Sequence, residues 1–186
     1  MNITQALPTD APAIASLIMQ AMTDECCQNL AGKHKTLNDF RAMMTQLVEM
    51  DDSQYSYRNT LVARTPEGDV AGICVAYNGG DLRRLRQRFV EQAALQLGQD
   101  FSQMPDETQT GELYIDSLAV DHRFRRQGIA TALLQATIEK AEQMKLPTGL
   151  LVDKGNPDAE KLYGKVGFKY VNDTTWAGHE MRHLQK

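Results

Sequence analysis

Apolar residues recur along the chain in two rhythms, and the switches between them mark out the elements. Asn2–Gln5 is short and extended in character, after which Thr9 or Asp10 offers a cap ahead of Ala13, Ile14, Leu17, Ile18 and Met22 at helical spacing. From about Thr36 the stripe Phe40, Met43, Met44, Leu47 and Val48 predicts a second helix, its methionines serving as core filler. Thr60–Arg64 and residues 69–77 are β-branched, small or aromatic, and the turn chemistry of Thr65-Pro66-Glu67-Gly68-Asp69 between them predicts an antiparallel hairpin. Leu82, Leu85, Phe89, Ala93 and Leu97 restore the helical period, and a polar stretch over 98–110 follows. Residues 112–120 read as a strand. Residues 126–145 form the longest expected helix, with Ile129, Leu133, Leu134, Ile138 and Ala141 on one face. A strand at 148–152, a short helix at 158–166 behind Asn156-Pro157, and strands at 168–171 and 176–184 complete the pattern. These elements predict an α/β (α+β) chain in which strands and helices alternate around one antiparallel hairpin.

Composition narrows the class without naming a task. With 186 residues and no visible linker, 1–186 reads as a single domain, the helix and polar stretch at about 81–110 standing as an insertion. Hydrophobic residues at 42% and charged residues at 24% are near globular averages, which excludes disorder, collagen and coiled coil. A net charge of -4 argues against nucleic acid as a partner. The N-terminal stretch has no basic leader and is broken by Pro8, Asp10 and Pro12, so neither a signal peptide nor a membrane span is expected and the location reads as cytoplasmic. Cys26, Cys27 and Cys74 fit no disulfide framework and are read as reduced thiols, an adjacent-cysteine redox switch being the alternative. His34, His179 and His183 are too dispersed for a metal site, and His122 reads as a turn residue.

Chemistry concentrates where the strand at 112–120 empties through Asp121-His122-Arg123-Phe124-Arg125-Arg126-Gln127 into Gly128-Ile129-Ala130-Thr131. The first amides of a helix are unpaired and carry the positive end of its dipole, so a basic turn opening on a small residue suits a pyrophosphate. A side chain at Gly128 would hold phosphates away from those amides, and Arg125 and Arg126 can add charge-assisted contacts. An ordinary helix start chosen for packing is the competing reading. Neither G-x-G-x-x-G nor G-x-x-x-x-G-K-[ST] occurs, so Rossmann and P-loop sites are unsupported. The four arginines Arg83, Arg84, Arg86 and Arg88 read as a solvated helix face, with anion binding as the alternative.

A second motif follows at Asn156, Ala159, Leu162, Tyr163, Gly167 and Phe168. With Arg125, Gly128 and Ala130 in an R-x-x-G-x-A pattern upstream, the chain resembles the GNAT (Gcn5-related) N-acetyltransferases over about residues 112–171, matching the rest in element order only. The resemblance implies the GNAT-like acyl-CoA N-acyltransferase fold, a mixed, mostly antiparallel, twisted sheet flanked by helices, with acetyl-CoA as co-substrate and no metal. It implies that Leu118, Ala119 and Val120 pair with the pantetheine arm as with another strand, that the amides of Arg126, Gln127, Gly128, Ile129, Ala130 and Thr131 hold the pyrophosphate, and that Asn156 bonds the pantetheine. Tyr163 would act as general acid to the departing thiolate, a packed helix tyrosine being the plainer role.

A base must also take a proton from the incoming ammonium. Period-2 alternation places Glu112, Tyr114 and Asp116 on one strand face, opposite Leu113, Ile115 and Ser117, so both carboxylates are candidates, Asp116 the nearer to the pantetheine segment. Either can instead be a solvated strand residue. The expected reaction is acetyl transfer to a primary amine, on a small molecule or a peptide, by direct attack in a ternary complex. A non-catalytic CoA-sensing module and an acyltransferase for protein N-termini or lysines are the rivals. The sequence leaves the acceptor and the oligomeric state open, a homodimer being common in the family.

Overall fold

The computed structural model describes residues Met1–Lys186. Seven strands form one sheet in the order β1-β2-β3-β4-β5-β7-β6: β1 Asn2–Gln5, β2 Thr60–Arg64, β3 Val70–Asn78, β4 Leu113–Val120, β5 Thr148–Asp153, β6 Lys169–Trp176 and β7 His179–Gln185. Every neighbouring pair is antiparallel except β4 and β5, which run parallel. Helices α1 Ala11–Met22, α2 Asp24–Ala31, α3 Leu37–Glu49 and α4 Leu82–Gln92 lie over one face; α5 Ile129–Gln143 and α6 Pro157–Val166 lie over the other. Two cores result. Ile14, Ile18, Phe40, Met43, Met44 and Leu47 pack on Val62, Ile73 and Val75, while Leu133, Leu134 and Ile138 pack on Cys74, Ala76, Ile115 and Leu150. The mixed, mostly antiparallel sheet flanked by helices is the architecture that the resemblance implies.

Local chemistry explains most boundaries. Thr36 and Asp39 close a reciprocal capping box at the start of α3, Asp39 N–H donating to Thr36 Oγ1 at 3.2 Å and Thr36 N–H to Asp39 Oδ2 at 2.8 Å. Asp10 does not cap α1 with its side chain; its carboxylate accepts from Leu7 N–H and pairs with Arg64 Nη2 at 2.5 Å. Four features depart from the sequence pattern. α2 is an additional helix, broken from α1 by Thr23 at φ 75° and burying only Cys27 and Ala31, too little apolar surface to show a stripe. α4 ends in a widened π-helical turn over Ala93–Leu97. α5 begins at Ile129 rather than residue 126, because Arg126 at φ 61° and Gly128 at φ 79° cannot continue a right-handed helix. Trp176 ends β6 instead of opening the last strand, and Ala177 and Gly178, both at positive φ, make the turn. β6 is an edge strand exposed along most of its length, so no buried face imposes alternation on Asn172-Asp173-Thr174-Thr175.

Candidate active site

The parallel pair β4–β5 is hydrogen-bonded only from Leu113–Ile115 to Thr148–Leu150, although β4 continues to Val120 and β5 to Asp153. Beyond Ile115 the strands part. At the same point the β3–β4 register slips: Val75 faces Ser117, Ala76 faces Ile115, and Asp116 is the extra residue of a β-bulge. The bulge reverses the parity of β4. Asp121 N–H donates to Ala71 C=O, in register with Ala119 opposite Ile73 and Ser117 opposite Val75, so the odd positions spend their amides on β3. Those of Leu118 and Val120 therefore face the gap. One of these groups is already engaged, since Val120 C=O accepts from Gln20 Nε2 at 3.0 Å and Arg125 Nε at 3.3 Å.

The end of β4 leads into a turn and then α5. None of the backbone N–H groups from Arg125 through Thr131 donates to an acceptor within the chain, and Ala132 N–H to Gly128 C=O is the first bond of the helix. α5 is seated close to the sheet by Gly72 on β3, where a Cβ would meet Ala119 C=O at 3.0 Å and Ile129 Cγ2 at 3.1 Å. Gly128 has open space around its missing side chain, so its positive φ is the reason for glycine within the protein itself. Ile129 is buried in the core and offers only its amide. Arg123 is held by Asp121 at 2.7 Å and lies over the Phe124 ring, pulling the Asp121 carboxyl down to about 2, whereas Arg125 and Arg126 form no ion pair. The row of unpaired amides beside two guanidiniums free of ion pairs suits a polyanion.

On the α4 side of the sheet, Asp116 Oδ2 lies 3.3 Å from the Tyr77 hydroxyl and accepts from Gln54 Nε2 at 3.4 Å, and Oδ1 accepts from Ser117 Oγ at 2.8 Å. Burial raises its carboxyl above the ordinary carboxylate range despite these bonds. Tyr77 also reaches Glu107 Oε1 at 3.1 Å, and Glu107 pairs with the Arg86 guanidinium. Arg86 corrects the reading of a uniformly solvated arginine face: Arg83, Arg84 and Arg88 are open to solvent, but Arg86 is buried. Its phase explains this, four residues after Leu82 and three before Phe89, on the apolar stripe.

Glu112 keeps the Tyr114 face of β4 but lies at its far end from Asp116, whereas the bulge brings Ser117 onto that face instead of opposite it. The Glu112 carboxylate is buried under Gly149, where it accepts from Thr108 Oγ1 at 2.6 Å and Gln185 Nε2 at 3.0 Å and meets His183 Nε2 at 2.8 Å. Although burial by itself would raise it, these bonds hold the Glu112 carboxyl below its usual range. His183, placed on β7 with Asn172 Oδ1 on its other nitrogen, is a core histidine.

On the opposite face, Tyr163 of α6 packs edge-on against Phe168 at 5.9 Å, and its hydroxyl makes no hydrogen bond within the chain. Burial pushes that phenol up to about 12, so it stays protonated near neutrality. Asn156 caps α6, its Oδ1 accepting from Ala159 N–H at 3.2 Å, which leaves its amide NH2 as a donor. The parted strands thus have a carboxylate on one face and an unbonded phenol on the other. Gln54, Tyr77, Glu107 and Arg86 are the neighbours that sequence reasoning missed; only Arg86 carried a local signal, its helical phase.

The acetyltransferase (GNAT) family model matches residues 33–168. A search of the curated proteins finds no match. A solved structure described as an acetyltransferase is 31% identical, with a TM-score of 0.81 over 100% of this chain and 98% of its own. An N-acetyltransferase from Staphylococcus aureus Mu50 is 24% identical with a TM-score of 0.81 over the full length of both chains, and a ribosomal-protein-alanine N-acetyltransferase from Brucella melitensis is 21% identical with a TM-score of 0.61 over 100% and 99%. These two share the fold. With more than half the chain under one family model and its two motifs flanking the gap between β4 and β5, the chain belongs to the acetyltransferase (GNAT) family.

Proposed function

We propose that this chain transfers acetyl from acetyl-CoA to a primary amine by direct attack within a ternary complex, acting as a single domain in the cytoplasm on a small-molecule amine or a peptide. The observation that carries the reading is the gap between β4 and β5 continuing into the unpaired amides of residues 125–131, an extended polar edge followed by an anion cradle. That sequence of donors matches a molecule with an amide-bearing arm and a pyrophosphate. Leu118 and Val120 would pair with the arm, residues 126–131 would hold the pyrophosphate, and the Asn156 amide NH2 would reach the arm from α6. Acetyl-CoA supplies the thioester carbonyl. Asp116 accepts a proton from the amine as the carbon–nitrogen bond forms, and the raised position of its carboxyl suits a base. Tyr163 donates its proton to the departing sulfur as the carbon–sulfur bond breaks. No helix is long and apolar enough to cross a membrane, and the three cysteines are unpaired, which fits a reducing compartment.

Glu112 is buried and held by Thr108, His183 and Gln185, and we assign the base to Asp116 alone. The test is thiol release from acetyl-CoA against a panel of polyamines, amino acids, aminoglycosides and peptides. Turnover with at least one amine is expected. Acetyl-CoA binding by calorimetry without turnover across the panel would replace this reading with a sensing module.

A further inference from the structure

One hydroxyl stands between two carboxylates. Tyr77 Oη lies 3.3 Å from Asp116 Oδ2 and 3.1 Å from Glu107 Oε1, and it has a single proton to donate. Glu107 is buried, and its other oxygen is paired with Arg86, itself anchored by Met104 C=O at 3.0 Å and Asp106 Oδ1 at 3.4 Å. Arg86 thus keeps Glu107 ionised and fixed, as the stronger acceptor for the tyrosine proton. With that proton committed to Glu107, Tyr77 presents a lone pair to Asp116. A lone pair bonds the protonated carboxyl and repels the carboxylate. We propose that Glu107, through Tyr77, is a positioning residue that makes Asp116 a stronger base. Arg86 and Glu107 belong to α4 and the loop after it, so this stretch serves the base through Tyr77.

The proposal rests on Asp116 being the base, but its central claim is about a proton and is tested without any acceptor. The other groups facing Asp116 are Tyr55, Tyr114, Cys74 and Arg86, with Gln54 and Ser117 as donors. Of these only Arg86 is charged near neutrality; burial holds Tyr55, Tyr114 and Cys74 in their neutral forms.

The measurement is a pH titration of the Asp116 carboxyl carbon in full-length protein carrying 13C-aspartate, with Asp116→Asn identifying the resonance. In Tyr77→Phe the midpoint is expected to move to lower pH by about one unit, a tenfold change in acidity, because the protonated form loses its acceptor. Glu107→Gln should move it the same way, since the tyrosine proton is then released toward Asp116. An ordinary hydroxyl donating to the carboxylate requires the opposite sign. A midpoint in Tyr77→Phe that rises or stays put therefore overturns the proposal, and a fall in that variant with none in Glu107→Gln removes Glu107 from it. Should Glu107→Gln fail to fold, the near-isosteric Tyr77→Phe still decides the sign. Failure of the underlying reading is separate: Asp116→Asn with wild-type turnover would remove the base while leaving the titration result standing.

Discussion

Asp116 is costly to keep where it is, which gives its substitution a clear signature. Asp116→Asn is expected to lower kcat by about two to four orders of magnitude, the usual range for a positioned general base. In the wild type, kcat/KM should fall as pH drops through the raised value of this carboxyl, and that limb should be missing from the variant's pH–rate profile. Tyr163→Phe is expected to reduce kcat while leaving the acetyl-CoA Kd from calorimetry unchanged, because its hydroxyl holds nothing else in the chain. At Gly128, φ is 79° and the space beyond is open, so Gly128→Val strains the backbone by about 1 kcal/mol and disorders the amide cradle. Calorimetry should then show acetyl-CoA binding lost while the melting transition shifts by a few degrees. Gly128, Asn156 and Tyr163 were legible in the sequence because local spacing sets their places at helix ends and faces. Tyr77 and Glu107 were not, since a hydroxyl 39 positions from Asp116 and a carboxylate in an irregular loop meet only after the sheet has formed.

At the scale of elements, β4 does two jobs by changing phase in mid-strand. Before the bulge its odd side chains enter the α5 core; after it Leu118 and Val120 do, and the same slip turns their amides toward the gap. A bulge is one uncompensated residue in a register, which no period-2 reading of a single strand can show. The long helices were readable from their apolar stripes, whereas α2 and β6 bury too little for a stripe to exist. β5 contributes the lack of a side chain at one position: a Cβ on Gly149 would collide with the Glu112 carboxylate. Gly149→Ala must push Glu112 away from His183 and Gln185, at a cost of about 2 kcal/mol. The melting temperature should fall by roughly 4–8 °C for a chain of this size. Gly149 is not at positive φ, so the loss reads the collision alone; Gly68→Ala, at positive φ in open space at the hairpin turn, gives the contrasting cost of backbone strain without a collision.

For the whole molecule, the two β4 carboxylates bend the pH dependence of stability in opposite directions. The Glu112 carboxyl is depressed from an ordinary value of 4.5, so its contribution is present above that pH and is lost as pH falls through the lower folded value. Denaturant unfolding of Glu112→Gln should therefore show a larger deficit against wild type near neutrality than in acid. The Asp116 carboxyl is raised, so its ionisation opposes folding near neutrality and the penalty fades in acid. Asp116→Asn should melt higher than wild type at neutral pH while losing turnover, the pairing expected where a site is maintained against stability. The parting of β4 from β5 has a mechanical side as well. Strands β1–β4 and strands β5–β7 meet in the sheet along a seam of only three residue pairs, held together otherwise by the core they share under α5. A molecule lying in the gap and bonding both edges would stitch that seam. Amide exchange in β7, beyond the strand the ligand touches, should then slow on addition of acetyl-CoA.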